Sequence, residues 1–225
     1  MKILIVADEE CPALWDYYVP GRLKSYDLIL SSGDLKGDYL SFLVTMARCP
    51  LMYVHGNHDG TYEEEPPEGC DSIEDKLVVY KGVRILGLGG CQPYGRGKHQ
   101  YSERQMQKRI RKLKRAIEMV GGVDIVLTHA APKGVGDWDD ASHRGFEAFL
   151  EFIDQYHPKY QLHGHVHLNY GMKIDRVREY AGTKVINCCE KYELEYDFPR
   201  QVEPLTRAKK LYCRWFVKKL QIISL

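Results

Sequence analysis

Six side chains able to hold a divalent cation stand just past short apolar runs in a chain of 225 residues: Asp8, Asp34, Asn57, His129, His165 and His167. Carboxylate, amide and imidazole donors together suit manganese, iron or zinc better than a soft thiolate site does. The densest group is Gly56-Asn57-His58-Asp59, which follows the apolar run Leu51-Met52-Tyr53-Val54. Gly56 permits a sharp turn where that strand ends. Asn57 then offers a ligand oxygen, and His58 offers a proton for a leaving oxygen. His165 and His167 lie two apart in Gly164-His165-Val166-His167. An extended segment would point both to one side, and a tight Gly-led turn could also bring both to one cluster. Two cations ~3.5–4 Å apart that share a carboxylate would activate a water and hold a phosphate in line. Each residue alone is ordinary, since Gly-Asp is a common turn. Five strand ends in order bearing D, GD, GNHD, TH and GHVH are hard to obtain by accident.

The elements that must position these residues read as an open α/β sheet with its site outside the carboxyl ends of the strands. Continuous apolar runs at Ile3–Val6, Tyr26–Leu30, Leu51–Val54 and Val123–Leu127 read as buried strands. Leu77–Tyr80 and Val83–Leu88 flank Lys81-Gly82 as a hairpin. Short strands follow at 160–162, 173–180 and 184–188. Helical spacing appears at 39–47 and 146–156, and a short helix is expected around 13–18. Ser102 and Gln105 form a capping box for a helix over 103–120, with Met106, Ile110, Leu113 and Ile117 inward and its Lys and Arg solvated. The acidic stretch 61–72 reads as a surface loop.

Bulk composition narrows the function. With 44% hydrophobic residues the chain supports one sizeable domain, expected over 1–200. A net charge of +1 gives no basic footprint for nucleic acid. Seven Cys without a CxxC pair read as free thiols, which places the protein in the reducing cytoplasm. The N-terminal apolar run is too short for a signal peptide, and no run approaches the ~18–20 apolar residues of a transmembrane segment. Residues 201–225 read as a basic amphipathic helix that docks on its own domain or on a second copy, making a homo-oligomer.

In their order and spacing the five motifs resemble the calcineurin-like metallophosphoesterase superfamily over residues 1 to about 190. The resemblance implies a four-layer α/β/β/α sandwich of two mixed sheets flanked by helices. It implies two divalent metal ions, manganese foremost and iron, zinc or magnesium as alternatives. Asp34 would bridge them, Asp8 and His167 would complete one site, and Asn57, His129 and His165 the other. His58 would be the general acid, oriented by Asp34 or Asp59. The implied reaction is hydrolysis of a small-molecule phosphodiester or phosphomonoester by a dimetal-activated water. The pieces Thr128–Pro132, Gly136-Asp137 and Gly164–Gly171 also resemble the metallophosphodiesterase branch.

Two positions depart from the family pattern. Where the family usually begins D-x-H, Asp8-Glu9-Glu10 puts Glu10 at the His position, as an oxygen ligand favouring a harder ion or as the mark of a weak first site. Gly33-Asp34 is followed by Leu35-Lys36 with no phosphate-gripping Arg, which argues against a phosphoprotein phosphatase. His143 and Arg144, between the ligand loops, are candidate phosphate contacts. The competing readings are a non-catalytic scaffold that has kept the fold, and a nuclease.

Overall fold

Strand β1 (Lys2–Ala7) is buried along all but its first residue, because an unbroken aliphatic run can only be satisfied under cover on both faces. We describe residues 1–168 and 175–197 of a computed structural model, and the backbone of 220–223. After β1 come β2 (Leu28–Ser31), α1 (Gly37–Ala47) and β3 (Leu51–Tyr53). Asp71–Ser72 forms a two-residue β4, followed by β5 (Lys76–Tyr80) and β6 (Val83–Leu88). Helix α2 (Glu103–Val120) carries the expected capping box at Ser102 and ends on Gly121 at φ 74°. Then come β7 (Ile125–Thr128), α3 (Glu147–Tyr156), β8 (Tyr160–His163), β9 (Val177–Tyr180), β10 (Thr183–Asn187) and β11 (Glu190–Glu195). Residues Leu220–Ile223 form β12.

Among the described residues these strands make two mixed sheets, ordered β11-β1-β2-β3-β4 and β12-β5-β6-β7-β8-β10-β9. One apolar cluster, with Ile3, Ile5, Leu30, Val78, Ile125 and Leu162, fills the space between the sheets. A second covers the outer face of the five-stranded sheet beneath α1, and a third packs α2 and α3 on the seven-stranded sheet. The result is the expected four-layer sandwich. Six cysteines, Cys11, Cys49, Cys70, Cys91, Cys188 and Cys189, form no disulfide. No helix among the described residues is long and apolar enough to cross a membrane.

Several elements differ from expectation. The stretch 13–18 holds only a 3-10 turn, Pro12–Leu14, and another turn, Asp59–Glu63, and β4 interrupt the acidic loop. The basic face of α2 is not wholly solvated, because Arg109 is 7% exposed and points into the protein. Strand β11 alternates polar and apolar residues at a sheet edge, antiparallel to β1. The helix expected over 201–225 lies outside the described residues except at Leu220–Ile223. There the backbone is a strand, parallel to β5, as suits two adjacent β-branched residues.

Candidate metal centre

The loops after β1, β2, β3, β7 and β8 meet at one edge where the two sheets come together. Asp8 N donates to Gly33 O at 3.1 Å, and Gly164 N to His129 O at 3.0 Å. The Ser32 hydroxyl donates to the Thr128 carbonyl, which ties the two sheets at this point. Close approach dictates two of the glycines. A Cβ on Gly56 would stand 2.0 Å from Asp34 Oδ1, and one on Gly164 would stand 2.5 Å from Asp8 Oδ2. Asp8, Asp34 and His165 themselves adopt left-handed backbone angles, φ 61°, 58° and 68°. Such conformations cost about 1–3 kcal/mol each and concentrate where a side chain must be aimed.

Asp34, His129 and His165 each present a ligand atom, all within 4.8 Å of one another. His129 is fully buried; its Nδ1 donates to Ser32 O at 2.8 Å. Nε2 is thereby aimed at the centre, 2.9 Å from Asn57 Oδ1 and 3.4 Å from Asp34 Oδ2. A backbone carbonyl behind one ring nitrogen is the usual support of a ligating histidine. His165 Nε2 donates to Ser142 O at 2.7 Å, which leaves Nδ1 for a ligand role. Asp8 accepts the His165 backbone N–H through both oxygens, at 2.8 and 2.9 Å.

The electrostatics are uneven. Burial pushes the Asp8 carboxyl up to about 6 against the pull of His129. Burial also raises Asp34, but His129 beside it and the His58 N–H leave it at about 2. His129 is driven down by burial yet drawn up to about 9 by Asp34 and Asp8. His165 is lowered to about 3 by burial and then by His129. Two half-buried carboxylates, an amide oxygen and two imidazoles converge, and their hydrogen bonds among the described residues go to no Lys or Arg. That donor set fits divalent cations of the Mn, Fe or Zn kind.

The other expected residues are placed as follows. His58 lines a cleft of about 1220 Å³ beside Asp8 and Asp34. Its side chain is 74% exposed, with Nε2 4.0 Å from Asp34 Oδ2, and its N–H donates to Asp34 Oδ1 at 2.7 Å. Asp59 does not orient His58. Its Oδ2 accepts from Asp34 N at 2.9 Å and from Gly56 N at 2.7 Å, so it braces the two ligand loops. Glu10 joins neither donor group; its carboxylate lies 3.5 Å from Lys36 Nζ. The turn begun by Asp8 places the Glu9 carboxylate 2.8 Å from His167 Nδ1 instead. His167 thus groups with Glu9 and Cys189 rather than with Asp34. His143 bonds Asp140 Oδ2 at 2.8 Å and holds its ring 5.1 Å from that of His165, while Arg144 is exposed on the same loop.

Three contributors carry no sequence signal. Tyr94 OH accepts from Asn57 Nδ2 at 2.8 Å, orienting Oδ1 toward His129. Ser142 acts through its carbonyl, and Cys189 lies 22 positions beyond His167 in the chain. A tyrosine or cysteine in a Gly-rich or strand-end loop has no spacing that marks it.

Comparison with known proteins identifies the family and the fold. A family model described as calcineurin-like phosphoesterase matches residues 1–169. The chain is 35% identical to the UPF0046 protein T07D4.2 of Caenorhabditis elegans over 88% of its length. It is 25% identical to human metallophosphoesterase domain-containing protein 1 over 77%. It spans 62% and 64% of the length of those two relatives. Among solved structures, TT1561 of Thermus thermophilus superposes with a TM-score of 0.58 at 16% identity, covering 84% of this chain and 89% of that one. GAP50 of Plasmodium gives 0.50 at 13% identity, covering 84% and 71%. Both share the fold.

Proposed function

Since the chain belongs to the calcineurin-like phosphoesterase family, we propose that it is a metal-dependent hydrolase of a small phosphodiester or phosphomonoester. The observation that carries this reading is the convergence of Asp34, His129 and His165 within 4.8 Å, with Asp34 also lining the cleft. Asp34, Asn57, His129 and His165 would hold one cation, and Asp8 with Asp34 would hold its neighbour. Manganese is the expected ion, with iron, zinc or magnesium as alternatives. Bound divalent cations would supply Lewis acidity toward the phosphoryl oxygens and a lowered pKa for the attacking water.

The chain's own residues do the rest. His58, exposed on the cleft wall, donates a proton to the leaving oxygen. Asp34 accepts from the His58 backbone and Asp59 from that of Asp34, so hydrogen bonds tie the acid to the ligand loop. His143, held by Asp140 over His165, contacts the phosphate. The cleft wall bears Glu9, Glu10, Asp38, Glu64, Glu65 and Glu68, with Lys36 as the single Lys or Arg among the described residues of the lining. Such a wall repels a polyanion, which disfavours a nuclease and suits a substrate whose only negative charge is its ester phosphate.

Manganese-loaded protein should hydrolyse a generic phosphodiester or phosphomonoester, and Asp34→Asn should not. Equal turnover by both proteins overturns the assignment. One observation favours a second reading, a binding scaffold without turnover: Glu10 lies 3.5 Å from Lys36 Nζ and belongs to neither donor group. A scaffold would retain fewer than two ions and hydrolyse neither ester with any added metal.

A further inference from the structure

Three loops bring together donors of a kind absent from the centre described above. Glu9, His167 and Cys189 each present a ligand atom, all within 4.8 Å of one another, and the group shares no residue with Asp34, His129 and His165. Strand pairing accounts for the meeting. In the β1–β11 register Ala7 lies opposite Glu190, so the turn leaving β1 and the turn entering β11 lie side by side. Asn187, 2% exposed, locks the third loop to them. Its Nδ2 donates to Val166 O at 2.7 Å, and its Oδ1 accepts from Cys189 N at 2.9 Å. Arg176 adds a guanidinium bond to Cys189 O at 2.8 Å. Cys189 is buried, and burial pushes its thiol up to about 12, so a bound cation rather than the surrounding protein would supply the charge that holds it as a thiolate.

We propose that Glu9, His167 and Cys189 form a cation site with one sulfur donor, selective for zinc-class ions over manganese and magnesium. Carboxylate, imidazole and thiolate match the ligand types of zinc, and three protein donors leave a fourth tetrahedral position open. The thiolate decides the selectivity, because manganese and magnesium prefer oxygen donors. Glu9 also lines the cleft, so the open position communicates with the same solvent space as Asp8 and His58. The site stands on the fold and these three donors, and it does not depend on hydrolysis of a phosphate ester.

Cobalt(II) titration of the full chain tests it. Wild-type protein is expected to show a near-ultraviolet sulfur-to-cobalt charge-transfer band, which zinc abolishes and about a 100-fold excess of manganese leaves in place. Cys189→Ser should lose the band, while Asp34→Asn should keep it. Glu9→Gln, a change at a partly exposed turn, should keep the fold and weaken cobalt binding about tenfold. The proposal is overturned if the wild type shows no such band, if the band persists in Cys189→Ser, or if Glu9→Gln binds cobalt with unchanged affinity. Loss of hydrolysis in Asp34→Asn bears on the phosphoesterase reading alone, so the two can fail separately.

Discussion

Two regions of the molecule bury carboxylates beside histidines, and they balance that charge in opposite ways. Around Glu74 the protein supplies the counter-charge itself. Glu74 accepts from His55 N and Gly89 N, each at 2.9 Å, and pairs with the Arg109 guanidinium. Arg109 also bonds Asp75 Oδ1 and Gly89 O, each at 2.8 Å, and lies 4.1 Å over the Tyr101 ring. Burial raises the Glu74 carboxyl, but His55 and Arg109 more than offset it and hold it at about 2. At the strand ends, by contrast, Asp8 and Asp34 are neighbours, the side chains that compensate them among the described residues are imidazoles, and burial keeps Asp8 at about 6. The first region is closed by residues of the chain. Under the proposed function a cation would close the second, which would separate structural from ligand-binding charge.

Removing the guanidinium is the strongest way to break that comparison. Arg109→Met should cost about 3–5 kcal/mol in denaturant unfolding, as expected when one partner of a buried pair is removed. Metal uptake per folded molecule should be unchanged. A loss below about 1 kcal/mol would mean that Arg109 does not balance Glu74.

The complementary change acts on chemistry rather than stability. Asp34→Asn should lower hydrolysis about 10³-fold, roughly 4 kcal/mol of barrier. Thermal unfolding of the metal-free variant should stay close to wild type. A large destabilisation would place Asp34 in the structural class.

Acid separates the regions more gently. Glu74 is lowered from 4.5 to about 2 in the folded state, so its stabilisation is fully present above pH 4.5 and is lost as pH falls toward about 2. The loss amounts to at most about 3 kcal/mol, and Glu74→Gln should flatten that limb of the stability curve. An unchanged acid limb in Glu74→Gln would assign it to other carboxylates. The smallest effect is expected at Asp59, which supports ligands without joining them. Asp59→Asn should weaken metal binding or turnover by about 10–100-fold and leave the pH–rate profile in place. A profile displaced in this variant would restore Asp59 to the role of orienting the acid.

One of the two regions is legible in the sequence and the other is hidden. Apolar runs ending in Gly-Asp, Gly-Asn-His-Asp and Gly-His-Val-His carry strand, turn and donor in a few adjacent residues, so both the sheets and the donor set can be read locally. Arg109 cannot, because its reach into the protein depends on Glu74 and Asp75, about 35 positions earlier, and on the face that α2 presents. The family spacing favours Glu10 over Glu9 for a related reason. The left-handed turn at Asp8 resets which side chain meets His167, and alternation along a strand does not survive such a turn. Strand β11 gives no core-strand signal because its polar alternation marks an edge. Cys189 is brought to the site by the β1–β11 register, a long-range pairing that no local pattern announces.

The central claim is that the half-buried carboxylates at the strand ends are held for cations. Its most direct test is the metal content of manganese-loaded, dialysed protein, measured beside Asp34→Asn shown to be folded by circular dichroism. Wild-type protein should retain manganese and the variant should release it. Equal retention by both, or none by the wild type, would contradict the account.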